Sequence, residues 1–291
     1  MQNFVVRAKL SGHNNEVCLV DFLDSNGSSL GNVCIKYSSN EKMKLGLTLE
    51  ASILSLLYSR MRICPKLIDL SILKRNNVAY IVMETVKGTL INHSKLSIEK
   101  AVAVLNAIQF HERILLDNMQ SLDTELVIKN LDKKIDFKKK ILVVLKDFVP
   151  SSNFLVNDSL SFLNYYLNNE RIIKKRIIVT DRSAENIFQG QNGELTFIDF
   201  STVRVGTQFD NLIQFVDDPR IKLTFKKEDL IEIFFKKNNL NAKDLEFFYA
   251  SSVYTNLLQG IFTYVKNPKL GIKYFENANE AYTKLKNKKV R

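Results

Sequence analysis

The stretch from Ile177 to Phe200, IIVTDRSAENIFQGQNGELTFIDF, decides the predicted fold of this chain. It opens with a short β-branched run, Ile177 to Val179, and closes with a second apolar run, Leu195 to Ile198, and such runs are typical of short strands. Gln191-Asn192-Gly193 lies between them as a turn sequence. We therefore expect a strand, then a loop, then a hairpin.

Three oxygen-bearing side chains are spaced along this stretch. Asp181 and Asn186 lie at the two ends of the loop, and Asp199 follows the last strand. Carboxylate and amide oxygens are hard ligands suited to Mg²⁺, and a carboxylate that is not a ligand can accept a proton from a hydroxyl. We expect the three side chains to converge on one point.

This spacing resembles that of the kinase-like phosphotransferases, and most closely the aminoglycoside phosphotransferase and choline kinase superfamily. The matching elements are Asp181-x-x-x-x-Asn186, Ile198-Asp199-Phe200 and Phe209-Asp210. The resemblance implies that Asp181 is the catalytic base and that Asn186 and Asp199 hold Mg²⁺. It also implies ATP or GTP as the phosphate donor and a role for Asp210 in bracing the catalytic loop.

The fold that the resemblance implies is α+β and bilobal, like that of protein kinases. It has a small N-lobe, built from an antiparallel sheet and one helix, and a larger, mainly helical C-lobe. The sequence agrees, because β-type runs fill residues 4–37 and helical apolar spacing dominates from Ser97 onward. We place the boundary at Gly88, which gives a nucleotide-binding lobe of residues 1–88 and a catalytic and substrate-binding lobe of residues 89–291.

Lys36 ends an apolar strand, where a kinase needs an ammonium group to hold nucleotide phosphates. In the related fold this lysine pairs with a glutamate on the following helix. Leu45 to Tyr58 has helical spacing and contains Glu50, which we predict as the partner; Glu41 is also available.

Two further nucleotide contacts follow from the resemblance. Ser11 and Gly12 begin a loop where the related kinases cover the nucleotide, although an ordinary hairpin turn explains a loop with a single glycine equally well. The segment after the strand Val78 to Glu84 corresponds to the connector whose main chain binds the purine edge. The candidates there are Glu84, Thr85 and Val86, with a plain turn at Gly88 as the alternative.

The remaining segments have simpler interpretations. Ser201 to Gly206 is expected to be a loop, and His111 a packed structural residue. Helices are expected over residues 101–116, 228–237, 242–265 and 270–288. Aromatic residues within 242–265 are typical of a core, although choline kinases use aromatic groups to hold a quaternary ammonium; they are Phe247, Phe248, Tyr249, Tyr254, Phe262 and Tyr264.

The composition is that of a globular protein, with 45% apolar and 25% charged residues among 291. No signal peptide or membrane-spanning run is evident, so we expect a cytoplasmic protein. Three cysteines and three histidines without metal-type spacing argue against a disulfide framework or a zinc site. The net charge of +11 is compatible with an anionic partner, but the lysines are spread along the whole chain.

The sequence departs from the family pattern around the predicted base. Small-molecule kinases usually have His-Gly or His-Asn directly before the catalytic aspartate, and this chain has Val179-Thr180 there. Two positions after the aspartate, Ser183 stands where small-molecule kinases often have histidine and protein kinases have lysine. We therefore keep a pseudokinase-type binding module as an alternative to a small-molecule kinase, and the net charge of +11 keeps a basic nucleic-acid-binding protein as a second, weaker alternative. For the kinase, aminoglycosides, sugars, nucleosides and choline-like amino alcohols are all open as acceptors.

Overall fold

The structure, a computed structural model, describes residues 3–11, 16–73, 78–93, 95–118, 176–179, 182–201, 203–206 and 209–289. The predicted site residues Gly12 and Asp181 lie outside these ranges, as does the side chain of Ser11. Contacts divide the chain into two units. The first holds the described residues of 1–90, 117–123 and 186–202, and the second those of 91–116, 124–185 and 203–291.

The elements of the first unit are strands β1 to β6, helix α1 and the strands β9 and β10. Their bounds are β1 (Asn3–Ser11), β2 (Glu16–Leu23), β3 (Ser29–Ser38), α1 (Glu41–Met61), β4 (Leu67–Leu73), β5 (Val78–Glu84), β6 (Thr89–Leu90), β9 (Ile187–Gln189) and β10 (Leu195–Phe197).

The elements of the second unit are mainly helical. Their bounds are β7 (Lys95–Leu96), α2 (Ile98–Asp117), β8 (Arg176–Val179), β11 (Val203–Gly206), α3 (Asp210–Val216), β12 (Lys222–Leu223), α4 (Lys227–Lys237), α5 (Ala242–Tyr264) and α6 (Pro268–Lys289).

An antiparallel sheet of five strands, in the order β1-β2-β3-β5-β4, forms the centre of the first unit. Alternation along β2 and β3 places Cys18, Val20 and Val33 in a small buried cluster on one side. The sheet has the antiparallel arrangement that we predicted for the N-terminal part of the chain.

Helix α1 packs against β3, β4 and β5. Its buried positions recur at helical spacing, so one face of the helix is almost fully covered; they are Leu47, Ala51, Ile53, Leu54 and Leu57. Glu50 lies on the same face and is buried with them. The hydrophobic face of α1 therefore carries a carboxylate into the interior of the first unit.

A small sheet in the order β10-β9-β6 completes this unit, and Gly88 allows β6 to approach β9. Gly88 has φ +129°, and a Cβ atom at this position would lie 2.5 Å from the carbonyl oxygen of Gln189. Both the backbone angle and the close approach therefore favour glycine.

In the second unit, β8 and β11 form an antiparallel pair. Our prediction of a loop from Ser201 to Gly206 is therefore wrong for residues 203–206. The four residues of β8 need partners for their backbone groups, and the β-branched pair Val203 and Val205 is well suited to a strand.

The aromatic residues of α5 divide between the core and the surface. Phe247 and Phe248 pack around Phe209, with ring centroids 5.7 and 5.8 Å from it, as predicted for a core. Phe262 and Tyr264 are about half exposed, so the core interpretation is wrong for them. In the part of the chain that the structure describes, no helix combines the length and apolar character that a membrane span requires.

We predict that Gly88→Ala lowers the free energy of unfolding by about 3 kcal/mol, because the new methyl group adds a clash to an unfavourable backbone angle. Gly27→Ala is the matched control. Gly27 also has a positive φ, +81°, but its Cβ would meet no atom within 4 Å. The control should lose only about 1 kcal/mol in urea unfolding, and equal losses would contradict the steric explanation.

Candidate active site

The ammonium group of Lys36 is the centre of the candidate site. It lies on β3 between β2 and β5, and only 7% of the residue is exposed. Its Nζ donates to Glu50 Oε2 at 2.8 Å and to Asp199 Oδ1 at 2.7 Å. The structure therefore brings three predicted site residues together within the first unit.

The two carboxylates hold the charge of Lys36 in place. Burial alone would lower the pKa of Lys36, but the charges of Glu50 and Asp199 raise it above its ordinary value. Burial raises the pKa of Glu50, and Lys36 and the Phe200 N–H oppose that rise. Burial alone would also raise the pKa of Asp199, but Lys36 and Ser201 bring it below its usual range. Asp199 is therefore ionised at neutral pH.

Residues 199–201 are fixed by α1 as well as by Lys36. The N–H of Phe200 donates to Glu50 Oε1 at 3.1 Å, and the Ser201 hydroxyl donates to Asp199 Oδ1 at 2.6 Å. A Cβ atom at Gly46 would lie 3.4 Å from the Ser201 carbonyl oxygen, so the helix passes close to this backbone. Asp199 itself has φ +58°, a left-handed angle that is uncommon outside glycine.

The hairpin of β9 and β10 sets the position of Asn186 relative to Asp199. The last strand pair is Phe197 with Ile187, and the Ile198 N–H then donates to the Asn186 carbonyl at 3.0 Å. Asn186 is thus opposite Ile198, the residue that precedes Asp199. Asn186 is buried, with 9% of the residue exposed.

The oxygen atoms of the Asp199 carboxylate and the Asn186 amide are ligand types that fit a magnesium ion. Lys36 Nζ and the Ser201 hydroxyl both donate to Asp199 Oδ1. The described residues contain no cluster of three or more His, Cys, Asp or Glu side chains that could hold a metal. A metal held by Asp199 and Asn186 would therefore need further oxygen ligands from water or nucleotide phosphates, as Mg²⁺ commonly does.

The predicted purine-binding connector follows β5. The Glu84 N–H donates to the Lys66 carbonyl at 3.0 Å, so this N–H is already used within the unit. The Glu84 side chain is exposed and accepts from the Lys66 N–H at 3.3 Å. Val86 is partly exposed, and the Thr85 hydroxyl is buried without a hydrogen-bond partner among the described residues.

The loop after Asp181 contains contacts that sequence reasoning missed. In the second unit, the Arg182 N–H donates to Gln214 Oε1 at 3.2 Å and the Ala184 N–H donates to Asp218 Oδ2 at 3.0 Å. Arg182 is fully buried. The burial of His111 lowers the pKa of that histidine, and the positive charge of Arg182 lowers it further. The separations in sequence are 32 and 34 residues, and no motif connects these positions.

No protein-family model and no curated protein matches the sequence. Solved structures do match. A spectinomycin phosphotransferase in complex with ADP and spectinomycin has a TM-score of 0.57 at 12% identity, and the match covers 97% of this chain and 92% of that one. The chain has the aminoglycoside phosphotransferase fold.

Two other solved structures give the same result. The aminoglycoside phosphotransferase of Alicyclobacillus acidocaldarius matches with a TM-score of 0.56 at 12% identity, covering 96% of this chain and 90% of that one. A gentamicin complex of APH(2")-IIa matches with a TM-score of 0.55 at 18% identity, covering 95% and 90%. The predicted α+β, kinase-like architecture is confirmed. These matches concern the fold and leave the site residues as predictions.

We predict that Lys36→Met lowers the free energy of unfolding by about 3 kcal/mol at pH 8, because Glu50 keeps a buried charge without its partner. The loss should shrink toward about pH 5. Without Lys36, the folded-state pKa of Glu50 rises further above its unfolded value of about 4.3, so protonation relieves the buried charge as the pH falls.

Urea unfolding of both proteins at the two pH values measures this effect. Lys66→Met is the control, because Lys66 is an exposed lysine of the same unit. It should change stability by less than about 0.5 kcal/mol at either pH. A Lys36→Met deficit that does not depend on pH would contradict the role of the Glu50 charge.

Proposed function

We propose that this chain is a kinase that transfers the γ-phosphate of ATP or GTP to a hydroxyl group of a small molecule. The observation that carries the proposal is the buried Lys36 ammonium between Glu50 and Asp199. An ammonium has three N–H groups, and the two carboxylates use two of them. The third is suited to a nucleotide phosphate, which matches the work that phosphoryl transfer requires of such a lysine.

Each remaining role is assigned by the chemistry of the residue. Asp199 and Asn186 would hold Mg²⁺, which when bound neutralises charge on the transferred phosphoryl group. Lys36 orients the phosphates. Asp181 takes the proton from the substrate hydroxyl while the oxygen of that hydroxyl bonds to the γ-phosphorus. The bond between the γ-phosphorus and the oxygen that bridges it to the β-phosphate breaks, which releases the nucleoside diphosphate.

We propose the connector after β5 as the purine site. Because the Glu84 N–H is engaged by Lys66, the purine-facing groups would be the Glu84 carbonyl and the main chain of Val86. Ser11 and Gly12 remain candidates for a loop that covers the phosphates. Competition between ATP and GTP in a binding assay determines the purine preference.

The acceptor is proposed as a class. The solved structures that share the fold include complexes with the aminoglycosides spectinomycin and gentamicin. The net charge of +11 makes a neutral or anionic hydroxylated metabolite a better electrostatic match for this chain than a cationic drug. Sugars and nucleosides are therefore the first compounds to screen with labelled γ-phosphate, and amino alcohols, which are cations at neutral pH, follow them.

We predict that Asp181→Asn lowers kcat by about 10²–10⁴-fold with the acceptor found in that screen, because the amide cannot accept the proton. The affinity for ADP should change by less than about twofold, since the variant keeps the size of the side chain. Asp229→Asn is the control, because Asp229 is an exposed aspartate of α4. Activity equal to wild type in Asp181→Asn would overturn the assignment of the base.

Titration calorimetry with ATP, with and without Mg²⁺, tests the metal assignment. Wild type should bind ATP more tightly with Mg²⁺, and Asp199→Ala should lose this dependence because it removes a carboxylate ligand. Tight ATP·Mg²⁺ binding without transfer to any acceptor would favour the pseudokinase alternative, which the replacements at Thr180 and Ser183 motivate. Absence of binding to both ATP and GTP would overturn the proposed function.

A further inference from the structure

Two adjacent carboxylates, Asp217 and Asp218, follow α3 in the second unit, and both are at least 95% buried. Buried charges are costly unless they are paired and hydrogen-bonded. The proposed reaction uses neither of them. Asp218 contacts the loop that follows Asp181, whereas Asp217 contacts helix α5, so the two carboxylates have separate roles.

Asp218 is the acceptor for a backbone amide of the loop that follows Asp181. Its Oδ2 accepts from the Ala184 N–H at 3.0 Å and from Arg220 Nη2 at 2.9 Å. Its Oδ1 accepts from Arg220 Nε at 2.8 Å and from the Arg220 N–H at 3.0 Å. The guanidinium thus holds both oxygens of the carboxylate in a fork, which fixes the direction in which Asp218 faces the loop.

Arg220 itself extends the contact along the loop. Its Nη1 forms an ion pair with Glu185 Oε2 at 2.7 Å. The loop is therefore held at two consecutive residues, Ala184 through its amide and Glu185 through its side chain. The next residue in the chain is Asn186, the predicted metal ligand, and the predicted base Asp181 lies three residues before Ala184.

Asp217 connects the same turn to the helices α5 and α6. Its Oδ2 accepts from Ser252 Oγ at 2.6 Å and from Asn256 Nδ2 at 2.7 Å, both on α5. Its carbonyl oxygen accepts from Asn277 Nδ2 of α6 at 2.8 Å. The turn that presents Asp218 is thus anchored on two long helices that pack closely against each other.

We propose that Asp218, supported by Arg220, is a positioning residue for the predicted catalytic loop between Asp181 and Asn186. It fixes the backbone at Ala184, and through the chain it restricts Asp181 on one side and Asn186 on the other. This inference rests on the proposed function. It differs from the role of Asp210, because Asp218 lies at the opposite end of α3 and has its own arginine support.

The test combines two measurements on the full-length protein. Hydrogen–deuterium exchange follows the segment that contains the Ala184 amide, and phosphate release from ATP·Mg²⁺ without acceptor follows turnover. We expect Asp218→Ala to speed exchange of that segment by about tenfold or more, because the amide loses its acceptor. We also expect a decrease in kcat of about tenfold, with ADP affinity in the absence of Mg²⁺ within about twofold of wild type.

Three other variants sharpen the comparison. Asp218→Asn keeps an oxygen for the Ala184 N–H, so its exchange and kcat should lie closer to wild type than those of Asp218→Ala. Arg220→Gln removes the support without removing the acceptor, and should shift both measurements in the same direction as Asp218→Ala, even if Asp218→Ala fails to fold. Asp229→Ala, on the exposed face of α4, should match wild type in both.

Unchanged exchange of this segment in both Asp218→Ala and Arg220→Gln would overturn the inference. An equal loss of kcat and of ADP affinity would also overturn it, because that result indicates general destabilisation. A wild-type protein that neither binds ATP·Mg²⁺ or GTP·Mg²⁺ nor releases phosphate from either would overturn the proposed function instead. The exchange measurement then still decides whether Asp218 holds the loop.

Discussion

The ion pairs of the buried Lys36 ammonium are the interaction on which the arrangement of the first unit depends. A lysine is rarely enclosed in a protein without anionic partners, because desolvation of its charge is costly. Here the partners come from helix α1 and from the segment after β10. The strand, the helix and the hairpin must therefore adopt one mutual arrangement before the charge is compensated.

Helix α1 contributes to this arrangement in two ways. Its apolar face covers the sheet, and the same face delivers Glu50, which accepts from both Lys36 and the Phe200 N–H. One carboxylate thus connects a strand of the large sheet with the backbone next to Asp199. Hydrophobic packing determines where the helix lies, and the two hydrogen bonds determine which residues it brings together.

Much of this could be predicted from the sequence because the relevant signals are local. The spacing of Asp181, Asn186 and Asp199 indicated the fold. The apolar period of residues 45–58 indicated a helix, and the resemblance to the related kinases indicated Glu50 on that helix as the partner of Lys36. Interactions between distant segments left no comparable signal. The contact of Asp218 with Ala184 depends on a turn that is 34 residues away in the chain, and β11 is recognisable only through its partner β8.

The ladder between β9 and β10 has a consequence for how such proteins can be recognised. The strand pairs, and the bond from the Ile198 N–H to the Asn186 carbonyl, fix the alignment of Asn186 with the residue before Asp199. The tip at Gln191 and Asn192 is exposed and takes no part in this alignment. Relatives can therefore lengthen or shorten the tip without moving either side chain, and a search pattern that demands a constant interval between the asparagine and the aspartate would overlook them.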